Sequence, residues 1–225
     1  MKRNEHEFKV MGLAPYAKKE SGEKVYKKLK EFIWFDQKEM TFKSKFPLKK
    51  VPGYLHYKLF FQYRFDSLAY GVQKLTEELF VQLISSYVIK YDIHKIAIGG
   101  GVFMNVKANQ KILEMPEVEE LVVTPSSGDE SLALGAAAYG FLQENKHSNQ
   151  IKIENLYLGS EYSDDQIKIE MERSSHLIKD CSVKYFEPTG GKTIEQEVAK
   201  ILSENSVVGR FKGRAEWGAR ALGNR

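Results

Sequence analysis

Two short apolar segments near the middle of the chain each end in a turn whose residues can bind an anion or a metal. The first, residues 96–98, runs into three glycines, and the second, residues 121–124, is closed by a proline. Both are predicted strands of an α/β sheet. Because ligands of open α/β sheets bind outside the carboxyl ends of strands, the residues that follow are predicted to share one sheet edge. They are Gly100, Gly101, Asn105, Gly128 and Asp129.

The glycine triplet at residues 99–101 suits the close approach of a ligand to the backbone. Without Cβ atoms the chain can come near a ligand, and the first N–H groups of the following helix can face an anion. Asn105 is predicted to lie one turn into that helix. A simpler interpretation is that the triplet only forms a tight turn and that Asn105 bonds the turn before it.

Asp129 lies where the second turn enters a predicted helix at residues 131–139. An aspartate at this place is often the N-cap of its helix, and its carboxylate can also ligate a metal. A lone carboxylate supplies too few ligands for a transition-metal site. The residue types alone leave both roles of Asp129 open.

The C-terminal segment, residues 209–225, concentrates positive charge between glycines. Its cations include Lys212, Arg214, Arg220 and Arg225, and Glu216 is the acid among them. Arginine forks suit the bidentate capture of phosphate or carboxyl oxygens, and glycines let such groups come close. The alternative is a basic tail that is simply solvated.

A long amphipathic helix is predicted to lead into the first of the two strands. It begins with Asp66 as its cap and spans about 25 residues. Its apolar residues recur at steps of three and four, and Gln73 is assigned to the opposite, polar side. Together with the strands and helices that follow, it makes a series typical of a layered α/β domain. The apolar face consists of Leu68, Val72, Leu75, Leu79 and Leu83.

Shorter elements are predicted on either side of this central part. Thr193 and Gln196 form a capping-box pattern at the start of a helix, and Ser163 or Asp164 opens another one. A hairpin is predicted within residues 33–46. The remaining predictions are a helix at residues 18–31 and strands at residues 183–186 and 207–208.

Composition is that of an ordinary globular protein, with 42% hydrophobic and 28% charged residues among 225. The net charge of +4 comes from dispersed lysines mixed with acids, which argues against a nucleic-acid partner. One cysteine, Cys181, fits a reducing compartment. Neither a signal peptide nor an apolar segment of about 18 residues is visible. We therefore expect a cytoplasmic protein without a membrane partner.

Four segments of the sequence resemble the O-carbamoyltransferase family of nodulation and antibiotic-biosynthesis enzymes. They read KVMGLAPY, GGGVFMNVKAN, PSSGDESLALGAAAYG and GRFKGRAEWGARALGNR, in the family's order. The resemblance implies a first domain with the actin/hexokinase-like (ASKHA) fold and a second domain that makes carbamoyl-adenylate. The expected fold class is therefore α/β, with the second half of an ASKHA domain followed by the start of an adenylate-forming domain.

The resemblance also implies domain boundaries and a chain that is truncated at both ends. Residues 1–145 match the C-terminal part of the actin-like domain, with an aromatic insertion at 32–63. Residues 146–162 would be a linker, and 163–225 would begin the adenylate-forming domain. Such a chain is expected to be a fragment or subunit, for instance a split-gene product, that is inactive alone.

Site residues follow from the resemblance position by position. Gly100, Gly101, Asn105 and Gly128 would bind a nucleotide or carbamoyl-adenylate. Lys212, Arg214, Arg220 and Arg225 would bind carbamoyl phosphate and the phosphates of ATP with Mg²⁺. Asp129 matches a ligand of a divalent, iron-type metal that the family holds with two histidines four residues apart. The five histidines here have no such spacing, so that metal site is expected to be incomplete.

The expected activity is transfer of a carbamoyl group from carbamoyl phosphate, via carbamoyl-adenylate made with ATP, to a hydroxyl of a small molecule. A complementing N-terminal chain or a second copy is the expected protein partner. One alternative is a non-catalytic remnant or partner-binding subunit that associates through an exposed apolar surface. Another is an actin-like kinase or threonylcarbamoyl transferase, which would share the glycine turn and Asp129 but not the C-terminal segment.

Overall fold

A computed structural model describes residues 7–47, 61–145, 151, 153–186 and 193–218 of the chain. It divides into two compact units, Met1–Ala137 and Ala138–Arg225. The described part is a mixed α/β structure, rich in helices, with two small two-stranded sheets. The coarse fold class predicted from the sequence is thereby confirmed. The domain boundaries predicted at residues 145 and 162 stay a prediction.

The described residues form seven α-helices and four strands. The helices are α1 (Glu7–Leu13), α2 (Lys19–Lys30), α3 (Phe65–Tyr91), α4 (Val106–Leu113), α5 (Ser131–Glu144), α6 (Asp164–Arg173) and α7 (Ile194–Ser203), with 3₁₀ turns at Ala14–Tyr16 and Gly101–Met104. The strands are β1 (Ile33–Asp36), β2 (Thr41–Ser44), β3 (Lys95–Ile98) and β4 (Glu120–Val123). None of these helices is long and apolar enough to span a bilayer.

Helix α3 is the long helix that the apolar periodicity predicts, and it spans 27 residues. Its N-cap is Arg64, so the prediction of Asp66 as the cap is wrong. Asp66 lies in the first turn instead, where its carboxylate accepts the N–H of Ser67 at 2.7 Å. Val72, assigned to the apolar face, is 44% exposed, although Leu68 and Leu75 of the same face are buried.

Helices α2 and α3 pack closely because each presents a glycine to the other. A Cβ on Gly71 would lie 2.5 Å from Val25 Cγ1, and one on Gly22 would lie 2.4 Å from Tyr70 Cδ1. The resulting apolar core consists of Val25, Leu29, Leu68 and Leu75. Around it, Lys30 pairs with Glu78 and Lys74 with Glu23.

The strands β3 and β4 run parallel, with Ile98 opposite Val123. Parallel neighbours need a crossover connection, which here contains the 3₁₀ turn and α4. Ile112 of α4, Met115 and Val118 form a second apolar core against α3. The predicted strand–helix–strand–helix order is confirmed at this point, and it positions the candidate site.

Two capping boxes form in the second unit, and the one at Thr193 is the one predicted. Ser163 with Gln166 caps α6, and Thr193 with Gln196 caps α7. The strands predicted at residues 183–186 and 207–208 are wrong, since neither segment has strand structure. Val207 is fully exposed, because two adjacent β-branched residues do not by themselves find a pairing partner.

Candidate functional site

The two strand ends leave the sheet at the same edge. The Thr124 N–H and hydroxyl both donate to the Ile98 carbonyl, at 2.9 and 3.0 Å. A Cβ on Gly99 would lie 2.9 Å from Thr124 Oγ1, so glycine lets the two exits run side by side. The glycine turn after β3 and the polar turn after β4 are thereby brought to one edge, as the sequence predicts.

The glycine turn after β3 is open to solvent. Gly100 has φ 105° and ψ 150°, a conformation that glycine adopts without strain. Nothing lies within 4 Å of a Cβ added at Gly100 or Gly101. No described hydrogen bond uses the N–H groups of Gly100, Gly101 or Val102. Three backbone donors are therefore available at this turn.

Asn105 is the N-cap of α4, not a residue one turn into a helix as predicted. The 3₁₀ turn Gly101–Met104 separates the glycines from α4. The Asn105 Oδ1 accepts the N–H of Ala108 at 3.1 Å, and the Asn105 carbonyl accepts the N–H of Asn109. The side chain therefore fixes the start of the helix.

A glutamine of α3 pairs with this asparagine. Gln73 Nε2 donates to Asn105 Oδ1 at 3.0 Å, and Asn105 Nδ2 donates to Gln73 Oε1 at 2.9 Å. Gln73 is only 7% exposed, so its assignment to the polar side of the helix is wrong. It occupies the position four residues after the buried Ala69, and that spacing was the signal in the sequence that could have revealed it.

Asn109 supports the same turn from within α4. Its Nδ2 donates to the Phe103 carbonyl at 2.7 Å, which ties the 3₁₀ turn to the helix that follows. Its Oδ1 is buried and has no partner among the described residues. Sequence reasoning did not select Asn109, although it lies four residues after Asn105 on the same face.

The polar turn after β4 is held by hydroxyl groups. The Ser127 hydroxyl donates to the Thr124 carbonyl at 2.7 Å, and the Ser131 hydroxyl donates to the Gly128 carbonyl at 2.8 Å. The Asp129 carboxylate is exposed and takes part in no described hydrogen bond. No described hydrogen bond therefore supports Asp129 as a helix cap, and its carboxylate faces solvent.

The described residues do not supply the donor set of an iron-type metal. No group of three His, Cys, Asp or Glu side chains among them is placed to hold a metal ion. Asp129 alone offers one carboxylate, fewer ligands than such metals use. The expectation of an incomplete metal site stays a prediction, and no chemical step is derived through a metal.

The C-terminal basic segment is anchored to residues 156–160 by a strand-like pairing. The Gly159 N–H donates to the Ala215 carbonyl at 2.9 Å, and the Ala215 N–H donates to the Ser160 carbonyl at 2.8 Å. The Trp217 N–H adds a bond of 2.7 Å to the Leu156 carbonyl. The second half of the predicted linker is thus an ordered partner of the basic segment.

Two of the four predicted phosphate-binding cations are described. Lys212 forms an exposed ion pair with Glu195 of α7 at 3.2 Å, and Arg214 Nε donates to the Gly159 carbonyl at 3.1 Å. Arg220 and Arg225 lie outside the described residues. Lys212 can exchange Glu195 for another anion, since exposed ion pairs contribute little stability. Arg214 instead stabilises the pairing of the basic segment with residues 156–160.

Comparison with known proteins identifies the family of this chain. Residues 1–138 match the family model described as carbamoyltransferase N-terminus. The chain belongs to this carbamoyltransferase family. The match contains the turn after β3, the turn after β4 and the first half of α5.

Curated relatives match between 91% and 97% of this chain. An uncharacterised protein of Methanocaldococcus jannaschii is 28% identical over 204 residues, which are 91% of this chain and 34% of that protein. Nodulation protein NolNO of Sinorhizobium fredii is 24% identical over 232 residues, 97% of this chain and 31% of that protein. Nodulation protein NolO of Bradyrhizobium diazoefficiens is 24% identical over 221 residues, which are 97% of this chain and 39% of that protein. The chain spans about a third of the length of these relatives.

Proposed function

We propose that this chain takes part in transferring a carbamoyl group from carbamoyl phosphate to a hydroxyl of a small molecule, through a carbamoyl-adenylate. Carbamoyl phosphate, Mg²⁺-bound ATP and water form that intermediate, with release of phosphate and pyrophosphate. In the transfer step, the hydroxyl oxygen bonds to the carbamoyl carbon. The bond from that carbon to the adenylate oxygen breaks, AMP leaves, and the hydroxyl proton passes to a base. The family match over residues 1–138 is the observation that carries this proposal.

The nucleotide, or carbamoyl-adenylate, would bind at the turn after β3. Gly100 and Gly101 have open space where a Cβ would stand, and three consecutive N–H groups there lack partners among the described residues. Such backbone donors in a row suit phosphate oxygens. Asn105 and Gly128 border the same sheet edge. An actin/hexokinase-like topology for the unit is part of the proposal and is supported by the parallel β3–β4 pair.

Carbamoyl phosphate and the ATP phosphates would be held by Lys212, Arg214, Arg220 and Arg225. Lys212 can leave its exposed partner Glu195 for a phosphate. The ordered pairing of residues 156–160 with 215–217 supports this role, because electrostatic stabilisation needs donors that are held in place. The relatives are about three times as long as this chain. We therefore propose the complete reaction only for a protein that also contains the regions of the relatives that this chain does not match.

A single methyl group tests the nucleotide role. Gly101→Ala meets no atom within 4 Å, so the variant should keep its melting temperature while the methyl obstructs a ligand. In calorimetric titrations with MgATP, we expect saturable binding by the unmodified chain and at least about tenfold weaker binding by Gly101→Ala. Gly140→Ala, equally unobstructed in α5, is the matched control. Equal affinity in all three proteins would contradict the proposal.

A second candidate function is partner binding through α5. This helix is apolar, yet none of its residues is buried, and Leu132 and Tyr139 are 72% and 68% exposed. Apolar surface of this kind marks interaction sites. Leu132→Asp should lower the mass measured by light scattering if the chain self-associates through α5. An unchanged mass would count against this candidate.

A further inference from the structure

The pairing between Gln73 and Asn105 fixes which atoms of both amides face one another. Oxygen and nitrogen of a side-chain amide are distinguished by their hydrogen-bond partners. The Ala108 N–H can only donate, so the Asn105 atom that it contacts at 3.1 Å is the oxygen. The Gln73 nitrogen must then face that oxygen, which it contacts at 3.0 Å. The Gln73 oxygen must face Asn105 Nδ2, from which it accepts a bond of 2.9 Å.

The hydrogen-bonding capacity of Gln73 is nearly used up by this arrangement. One Nε2 hydrogen goes to Asn105 Oδ1, and the other goes to Glu77 Oε1 at 2.7 Å. Its oxygen accepts from Asn105. A buried amide costs free energy unless it is bonded in this way. These bonds therefore account for a polar residue that is only 7% exposed.

Asn105 retains one uncommitted side-chain group. Its Oδ1 accepts two hydrogen bonds, from Gln73 and Ala108, and one Nδ2 hydrogen is bound to Gln73. The second Nδ2 hydrogen has no described partner. Asn105 is half-buried and follows directly after the 3₁₀ turn that begins at Gly101.

We propose that Gln73 is the positioning residue of this site, which holds the Asn105 amide so that it offers a ligand a single N–H donor. This inference rests on the proposed nucleotide role of the turn. It determines the chemistry of the group that Asn105 can contact: an acceptor, such as a phosphate or hydroxyl oxygen, and not the amino group of a base. Gln73 acts through Asn105 and touches no ligand itself.

The pairing of the Gln73 and Asn105 side-chain amides can be tested without any ligand. In the ¹H–¹⁵N spectrum of the full chain, the Asn105 Nδ2 protons are identified by their absence from Asn105→Asp. We expect one of these protons to be shifted by its bond to Gln73 and to exchange slowly, while the other exchanges with solvent. In Gln73→Met, which keeps the shape of the side chain, both should take the shifts of a free amide. Two free-amide protons in the unmodified chain would overturn the inference.

The effect on binding is measured with MgATP as the probe. Gln73→Met should weaken binding by about tenfold, the loss of roughly one well-placed hydrogen bond. Gln82→Met is the matched control, since Gln82 also lies on α3 and donates to a glutamate, Glu78, at 3.0 Å. Asn105→Asp keeps the acceptor for Ala108 but replaces the outward donor by a charged acceptor. It should weaken binding further than Gln73→Met.

The outcomes separate the two proposals. MgATP binding that is equal in the unmodified chain and Gln73→Met overturns the positioning role and leaves the nucleotide role standing. If MgATP does not bind, but the two Asn105 Nδ2 protons still differ in shift and exchange, the nucleotide role is contradicted. The pairing between the Gln73 and Asn105 amides is then still supported. Equal weakening by Gln73→Met and Gln82→Met would reduce Gln73 to a general stabiliser of α3 and overturn the inference.

Discussion

Gly159 and Ala215 lie in such close contact that no side chain fits at position 159. The Gly159 N–H donates to the Ala215 carbonyl at 2.9 Å, and a Cβ at Gly159 would stand 2.8 Å from the Ala215 Cβ and 2.9 Å from that carbonyl oxygen. Backbone atoms cannot turn away as the tip of a long side chain can. The glycine is therefore required for the pairing that orders the basic segment.

Gly159→Ala should separate residues 156–160 from residues 215–217. We expect the N–H groups of Ala215 and Trp217 to lose protection against hydrogen exchange, because their acceptors at Ser160 and Leu156 move away. Gly209→Ala, where nothing lies within 4 Å of the added Cβ, is the control and should leave protection unchanged. Retained protection in Gly159→Ala would contradict the pairing.

Gly71→Ala should destabilise the first unit. The added methyl would meet Val25 Cγ1 at 2.5 Å and the backbone nitrogen of Tyr26 at 2.9 Å, and overpacking of this kind costs about 1–3 kcal/mol. Urea unfolding measures the change. Gly135→Ala in α5, with open space around the new Cβ, should instead be neutral or stabilising by up to about 1 kcal/mol. A neutral Gly71→Ala would contradict the close packing of α2 on α3.

The sequence predicted those features whose signals are local. The capping box predicted at Thr193 needs only residues three positions apart, and it forms; Ser163, one of the two residues predicted to open α6, is the N-cap of that helix. The strands β3 and β4 were predicted from short apolar segments next to glycine and proline, and both form.

Features that depend on distant partners were missed. Gln73 is buried because its partner Asn105 lies 32 residues away, and helical periodicity alone assigned it to the polar side. The hydrogen bonds of residues 156–160 were not predicted, because their partners lie about 55 residues further along.

The histidine after α3 should make stability dependent on pH. A hydrogen bond to the Glu117 carbonyl, at 2.8 Å, and a contact with the Asp92 carboxylate, at 3.0 Å, raise the pKa of His94 above 6.5. A raised pKa in the folded state means that the stabilisation is fully present below 6.5. It is lost as the pH rises through the higher, folded-state pKa.

Unfolding in urea should therefore show a stability loss above pH 6.5 that is absent from His94→Ala. His176→Ala is the control, since the His176 side chain is exposed and has no described hydrogen bond. If the free energy of unfolding depends on pH identically in the unmodified chain and His94→Ala, the contacts with Glu117 and Asp92 do not raise the pKa of His94.

The double variant Arg220→Ala/Arg225→Ala should abolish binding of carbamoyl phosphate. Arginine forks capture phosphate oxygens in pairs, and the proposal gives both residues that role. Arg173→Ala is a control for lost charge, because Arg173 lies on the surface of α6 beside Glu170 at 4.0 Å. Unchanged calorimetric titrations of the double variant with carbamoyl phosphate would exclude the phosphate role of these two arginines.

The most direct test of the nucleotide site is a ¹H–¹⁵N titration of the full chain with MgATP. We expect the N–H signals of Gly100, Gly101 and Val102 to shift most, because these donors lack partners among the described residues and lie at an open turn. The Asn105 Nδ2 signal should shift with them. Saturation with the largest shifts elsewhere, or no shifts at these residues at high MgATP, would contradict a nucleotide site after β3.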